Sequence, residues 1–394
     1  MLPSYYEYYN PVKIMSGHKA LENLPYELDL LGAKRPLIIT DRGVSGAGLV
    51  KTLLKALGGS DMVIGAIYED TPPDSSNVVV NEVAGIYREN NCDSLIALGG
   101  GSVLDTAKGV NIVITEDTDD LMQFVGAERL TKKMKPFVAI PTTSGTGSEV
   151  TLVAVINNIE KNCKMAFTSY MLFPDVAILD SRMTFSVPLK ITAATGMDAL
   201  THAVEAYSCI QKNPLSDAYA ITAIKLIREN LIHAIKKGRS RNARLGMANA
   251  SLMAGCAFSN SMVGVVHGIG HACGAISHVP HGVAMATLLP FGMEYNMEKN
   301  AGYYAELLLP LAGADIYAET PANQRARKAV ETVRELNRNL HVLTGMPITL
   351  EQAGVKKSQF DQIAETAIGD GSLIFNPIEV EKEDVLKILE AAYK

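Results

Sequence analysis

The chain has 394 residues, 47% hydrophobic and 20% charged, with a formal net charge of −6. That is ordinary globular composition with room for two or three domains. A net negative chain without a long Lys/Arg run excludes nucleic acid and an anionic membrane as expected partners. Its five cysteines, Cys92, Cys163, Cys209, Cys256 and Cys273, are dispersed and form no CxxC. They read as reduced thiols and not as a disulfide frame or a cysteine-based zinc site.

The first residues, "MLPSYYEYYNPVKIMSG", lack the basic, apolar and cleavage regions of a signal peptide in order. No apolar run approaches the ~18 residues of a membrane span, so a cytoplasmic protein is expected. The tyrosine-rich "SYYEYYNPVKI" is expected to form an edge strand that pairs with another subunit, giving a homodimer or a higher homo-oligomer.

Short apolar runs follow: "RPLIIT" (35–40), "MVIGAIY" (62–68), "SLIALGGG" (94–101) and "FVAIPT" (137–142). Each has the continuous apolar character of a buried strand. Between the first three, "AGLVKTLLKAL" and "SNVVVNEVAGIYREN" carry helical spacing. Strand–helix alternation predicts a parallel sheet covered by helices. "VTLVAVIN" (150–157) and "CKMAFTS" (163–169), joined by polar residues, predict a β-hairpin, and "DVAILD" (175–180) another strand.

Two loops in this half have the chemistry of a nucleotide site. Gly99, Gly100, Gly101 and Ser102 in "LIALGGGSVLDTAKG" lie between a strand and a helix. There the backbone can turn tightly and offer helix N–H groups to a phosphate. This is not the GxGxxG fingerprint, and a plain strand-to-helix turn is the simpler reading of that loop alone. "PTTSGTGSEVT" (141–151) also follows a strand, and its Thr142, Thr143, Ser144 and Thr146 can donate to phosphate or ribose. Two such loops at the carboxyl ends of strands are what a dinucleotide crevice requires. Asp41, beyond "PLIIT", can accept from both ribose hydroxyls of NAD and repel the extra phosphate of NADP. It can equally cap a helix.

After Pro188 the strand pattern stops. "ITAATGMDALTHAVEAYSC", "PLSDAYAITAIKLIRENLIHAIKKG" and "ARLGMANASLMAGCAF" have helical periodicity. The expected organisation is an α/β domain over 1–187 and an all-α domain over 188–394, meeting at a cleft.

In "GMDALTHAVEAY", Asp198 and His202 are four apart and share a helix face. In "GVVHGIGHACGAISHVPHG", His267 and His271 repeat that spacing, and His278 and His281 follow near a proline-marked turn. One histidine on an apolar face is usually a hydrogen-bonded core residue. Two segments with ligand types at i, i+4 make a metal site the better reading. Carboxylate plus imidazole without cysteine suits Fe(II) or Zn(II), not Ca(II) or Mg(II). Spacing does not choose among the histidines. His18, His233 and His341 stand apart and read as solvated or capping residues.

Over nearly its whole length the chain resembles the iron-containing (group III) alcohol dehydrogenases. The matching blocks are "NPVKIMSG", "GGGSVLDTAKG", "IPTTSGTGSEVT", "FPDVAILD", "TAATGMDALTHAVEAY", "HGIGHACGAISHVPHGVAMATLLP" and "NPIEVEKEDVLKILEAAY". The resemblance implies an N-terminal dinucleotide-binding α/β domain and a helical domain, with NAD and iron as cofactors. It also implies a small alcohol or aldehyde as substrate. It gives the metal to Asp198, His202, His267 and His281 and leaves His271 beside them as a non-ligand, a candidate proton relay or a support behind the ligands. It places the cofactor on Asp41, Gly100, Gly101, Ser102, Val103, Leu104, Asp105, Thr142, Thr143, Ser144, Gly145, Thr146, Val155, Lys164 and the stretch Met183 to Val187. The chain departs from relatives at Pro73, where some carry Asn, at Ile378 in "NPI", where Arg is frequent, and at Val153, polar in some. An apolar Val153 would favour alkyl substrates.

Three other readings share parts of the pattern. They are a zinc polyol oxidoreductase like glycerol dehydrogenase, a lyase resembling dehydroquinate synthase, and a non-catalytic nucleotide-binding module. The lyase needs Lys and Arg clustered near the metal ligands, and neither histidine block contains such a cluster.

Overall fold

The protein, seen in a computed structural model, is described over residues 3–161 and 163–394. Its contacts divide it into two compact units. One is Asn10–Val187; the other is Pro188–Lys394 together with the N-terminal residues through Tyr9.

The first unit holds strands β1 (Lys13–Gly17), β2 (Pro36–Ile39), β3 (Ala66–Tyr68), β4 (Ser94–Gly99), β5 (Gly126–Ala127), β6 (Phe137–Pro141), β7 (Val153–Asn158), β8 (Cys163–Thr168) and β9 (Val176–Asp180). Its helices are α1 (Leu24–Leu30), α2 (Arg42–Gly46), α3 (Leu49–Leu57), α4 (Asn77–Glu89) and α5 (Gly101–Glu116). Six strands form a parallel sheet in the order β1-β9-β6-β4-β2-β3. The apolar runs are continuous because both faces are buried. Leu37, Ile39, Leu95, Ala97, Phe137 and Ala139 face a core shared with α4 and α5. Their neighbours Ile38, Ile96, Leu98, Val138 and Ile140 face a second core shared with α1 and α3.

The chain runs from β2 to β3 at one edge, then returns to place β4 on the other side of β2. The switch point therefore lies between the carboxyl ends of β2 and β4, where ligands of open α/β sheets bind. The hairpin β7–β8 is antiparallel, with Val155 opposite Ala166 and Asn157 opposite Lys164. Strand β3 is shorter than the apolar run suggests. Met62 to Gly65 run irregularly beside β2, with only the Val63 and Gly65 N–H groups bonding across, and Val63 is exposed.

The second unit is helical: α6 (Leu189–Ser208), α7 (Pro214–Lys236), α8 (Arg241–Phe258), α9 (Val265–Ser277), α10 (His281–Tyr295), α11 (Met297–Ala312) and shorter or later helices through Ala391. Helix α6 is packed by α7, α8 and α10, and almost every residue from Thr192 to Ser208 is buried. A helix that is apolar on all sides is a core helix. Any charged group on it needs a partner. No helix among the described residues is long and apolar enough to cross a membrane. The tyrosine-rich segment does not extend the sheet before Lys13. Instead Tyr8 stacks on Tyr219 with ring centroids 5.8 Å apart, and the Tyr9 N–H donates to Asn260 Oδ1 at 2.8 Å.

Candidate metal centre and dinucleotide site

Asp198 and His202 lie one turn apart on α6 and are almost fully buried. His267 stands in the first turn of α9, and His281 opens α10 after Pro280. Gly282 lets that start close on α6, because a Cβ there would sit 2.5 Å from the Ala194 carbonyl oxygen. Around Asp198 Oδ1 lie His281 Nε2 at 3.2 Å, His202 Nδ1 at 3.8 Å and His267 Nε2 at 4.0 Å. One ligand-type atom from each of the four residues lies within 4.8 Å of the others. His281 is the most open, with its side chain 40% exposed, so the cluster is closed on the α6 side and accessible at His281. The His202 ring is held between Phe258 and His267, with centroid distances of 4.2 and 4.5 Å.

Asp198 Oδ1, His202 Nδ1 and His267 Nε2 are buried and make no hydrogen bond. Each such orphan costs about 1–3 kcal/mol. Three converging orphans are tolerable when a cation satisfies them together. One carboxylate and three imidazoles are a donor set that suits Fe(II) or Zn(II). Burial pushes His202 down to about 3 and His267 well below its ordinary value, which leaves neutral imidazoles. Burial works to raise Asp198, yet His202, His281 and His267 hold it well below the usual carboxylate range. Neutral imidazole with ionised carboxylate is the protonation state that ligates metal.

His271 stays outside the four. Its Nδ1 is 2.8 Å from Asp370 Oδ2, and its ring lies parallel to His281 at 5.4 Å. Burial opposes the Asp370 carboxylate, but His271 and Ser372 hold it down at about 2. His278 ends α9 in the left-handed conformation, φ 55°, and is exposed. It takes no part in the cluster.

The nucleotide candidates gather at the switch point of the other unit. Asp41 follows β2 by two residues, Gly100 follows β4, and Thr142 to Thr146 follow β6. Asp41 Oδ1 accepts from the Val44 N–H at 2.9 Å and so caps α2. Its other carboxylate oxygen has no partner among the described residues. The two loops are nested: a Cβ on Gly101 would lie 2.8 Å from Thr146 Cγ2, and one on Gly100 3.1 Å from Thr143 Oγ1. At the start of α5 the Val103 and Leu104 N–H groups already donate to Gly100, so Gly101 and Ser102 hold the open N–H groups. Val103, Leu104 and Met183 have buried side chains. A ligand would meet only their backbone. Asp105 is spent on structure, accepting from Ser148 Oγ at 3.0 Å and the Val155 N–H at 3.1 Å. Ser144 and Thr143 are half-buried, Gly145 is buried, Lys164 on β8 is exposed, and Val187 is half-buried at the end of this unit. Ser102 Oγ accepts from the Asp74 N–H at 3.2 Å, which anchors the loop containing Pro73.

Sequence reasoning missed three supporting residues. Buried Glu205 contacts the His267 ring, Asp370 contacts His271, and buried Lys108 joins the two loop segments. Burial pushes Glu205 up to about 7, opposed by the N–H groups of Val266, Gly264 and His267. Lys108 Nζ sits 2.8–2.9 Å from the carbonyls of Ser148, Thr151 and Val153 and 3.1 Å from both hydroxyls of Ser148 and Thr151.

A doubly covered parallel sheet with a switch-point crevice, together with a helical unit bearing an Asp/His₃ cluster, is the architecture of an enzyme that uses a dinucleotide and a metal ion. Residues 11–181 match the iron-containing alcohol dehydrogenase family, and residues 192–393 match the C-terminal region of the Fe-containing alcohol dehydrogenase family. The chain belongs to this family. It is 36% identical over 390 residues to the 1,3-propanediol dehydrogenase of Klebsiella pneumoniae, covering 98% of this chain and 99% of the relative. It is 33% identical over 385 residues to the NAD-dependent methanol dehydrogenase of Bacillus methanolicus, covering 98% and 99%. Among solved structures, a 1,3-propanediol oxidoreductase superposes with a TM-score of 0.94 at 36% identity, covering 99% of this chain and 100% of that one.

Proposed function

We propose that this protein is a metal-dependent, NAD-linked alcohol dehydrogenase that interconverts small primary alcohols and aldehydes. The convergence of buried, unpartnered donor atoms from Asp198, His202 and His267 beside His281 carries this reading. We assign dinucleotide binding to residues 1–187 and the metal to residues 188–394.

Asp198, His202, His267 and His281 would hold the ion, with iron as the assigned metal. When bound, the ion supplies Lewis acidity to the alcohol or aldehyde oxygen, and the dinucleotide accepts or returns hydride. The chain's own residues do the rest. Burial of Asp198, His202 and His267 keeps the ligand set neutral apart from one carboxylate. Asp370 fixes the His271 ring at Nδ1, so its Nε2 is the atom placed to exchange a proton beside the cluster. Gly101 and Ser102 offer N–H groups to phosphate, and Thr142, Thr143, Ser144 and Thr146 offer hydroxyls. The open oxygen of Asp41 would accept from a free ribose and repel a 2′-phosphate.

The half-buried Val153 favours alkyl over polyol substrates. The groups acting most strongly on Asp198, His202 and His267 are imidazoles and carboxylates, which gives the lyase reading no support. The edge position of β1 supports a homodimer or larger assembly, and five cysteines without a disulfide support a cytoplasmic setting. Anaerobic metal analysis with an alcohol panel at fixed NAD tests the assignment. A protein that binds NAD and metal yet forms no NADH with any alcohol would refute it.

A further inference from the structure

Helix α9 starts without a cap of its own. Its N-cap is Gly264, which has no side chain, and yet the first N–H groups are satisfied from elsewhere. The Val265 N–H donates to Asn376 Oδ1 at 3.2 Å, and the Val266 N–H donates to Glu205 Oε1 at 2.7 Å. The glycine is required by these incoming side chains. A Cβ at 264 would lie 2.8 Å from Asn376 Oδ1 and 3.2 Å from Glu205 Oε1. The second oxygen of Glu205, Oε2, lies 2.5 Å from His267 Nδ1. Glu205 is one turn beyond His202 on the buried helix α6, so one helix supplies two of the clustered residues and the group behind a third.

This arrangement has a consequence for the imidazole. A backbone N–H can only donate, so Val266 fixes which way the Glu205 carboxylate faces. The N–H groups at the start of α9 favour the ionised form of Glu205 against its burial, and in that form, at mildly alkaline pH, it can only accept. His267 Nδ1 must then carry the ring proton, and Nε2 is left with a bare lone pair. Nε2 is the atom that faces Asp198 and has no hydrogen-bond partner. We infer that Glu205 is a positioning residue that caps α9 from α6 and locks His267 in the tautomer able to bind metal through Nε2. The inference rests on reading the Asp198/His202/His267/His281 cluster as a metal site.

The isosteric variant Glu205→Gln makes the test sharp. Val266 N–H still demands an acceptor, so the amide oxygen turns to it and the NH₂ group faces His267 Nδ1. The ring then carries its proton on Nε2, pointing at the ion's position. Two measurements read this on the full-length protein. Ring ¹⁵N shifts of His267 in metal-free protein at mildly alkaline pH report the tautomer, and titration with Co(II) reports affinity through its visible bands. Wild type should show Nδ1–H and one tight Co(II) site. Glu205→Gln should show Nε2–H and Co(II) affinity lower by about 10–100-fold, the range typical of carboxylate groups behind metal-ligating histidines. Asn376→Ala, which removes the other incoming cap, should keep the wild-type tautomer and Co(II) affinity within about twofold, because it does not touch the ring. A wild-type His267 protonated at Nε2 overturns the inference whether or not Glu205→Gln folds. So does unchanged Co(II) binding by a folded Glu205→Gln protein. Absence of a Co(II) site in wild type would instead refute the metal reading, while the ring shifts still report on Glu205.

Discussion

Replacing Lys108 by Met should loosen the two nucleotide loops together. The side chain is buried, and its ammonium gives one N–H each to the carbonyls of Ser148, Thr151 and Val153 at 2.8–2.9 Å. Met fills similar space but takes the ammonium donor from all three carbonyls; Ser148 O keeps only long contacts from Thr151 at 3.4–3.5 Å, and each acceptor left without a donor costs about 1–3 kcal/mol. Part of this is offset. Burial lowers Lys108 from its ordinary 10.5 to about 8, against the pull of Asp105 and Glu149. That shift corresponds to roughly 3 kcal/mol of unfavourable charge burial that Met would not bear. The net expectation is a loss of about 2 kcal/mol, read as a lower urea midpoint for the α/β unit with unchanged slope. Hydrogen exchange should quicken in α5 and β7 more than in β2. NAD should bind more weakly, since Lys108 ties the helix after the glycine loop to the segment after the threonine loop. A loss under about 1 kcal/mol with unchanged exchange and NAD affinity would show that the ammonium contributes no net tie.

Asp41→Gly should relax discrimination between NAD and NADP, measured as the ratio of kcat/KM for the two cofactors; a ratio no different from wild type would place the ribose elsewhere. His267→Ala and His281→Ala should lose both metal and turnover, whereas His271→Ala should keep near-full metal and turn over about 10²–10⁴-fold more slowly. Metal per chain measured beside kcat decides this, and a metal-free His271→Ala next to a loaded His267→Ala would reverse the assignment. Burial raises the buried Glu149 from 4.5 to about 7, so its contribution to stability is fully present below the unfolded value and is lost as pH rises through the folded one. Glu149→Gln should remove that decline between about pH 4.5 and 7, and a urea-midpoint profile parallel to wild type would contradict the burial argument.

The strands that position the crevice were legible because β2, β4, β6 and β9 are buried on both faces and so read as unbroken apolar runs. The run at 62–68 reads the same way, but only its last residues meet the ladder, and an apolar Val63 on the surface cannot be told from a core residue by composition. The tyrosine segment has strand propensity, yet Tyr8 finds a stacking partner on α7, which local sequence does not encode. Asp198 with His202, and His267 with His271, stood out because charged or ligating residues interrupt apolar helices at one-turn spacing, whereas the choice of His281 over His271 came from the family resemblance. Glu205 has the same spacing from His202, but its meaning lies in an N–H and a ring about sixty residues on. Asp370 and Lys108 are hidden for the same reason. Asp370 looks like a loop acid and Lys108 like a solvated helix residue until the fold brings His271 and the carbonyls of 148–153 to them.

In the proposed enzyme one divalent ion is held by Asp198, His202, His267 and His281. Anomalous scattering at the iron and zinc edges, from crystals of anaerobically purified protein, locates such an ion directly. A single iron peak is expected in contact with one atom of each of these four side chains, at about 2.0–2.3 Å, and none touching His271 or His278. An empty cluster in protein that turns over alcohol with NAD at full rate, or an ion bound at other residues, would contradict it.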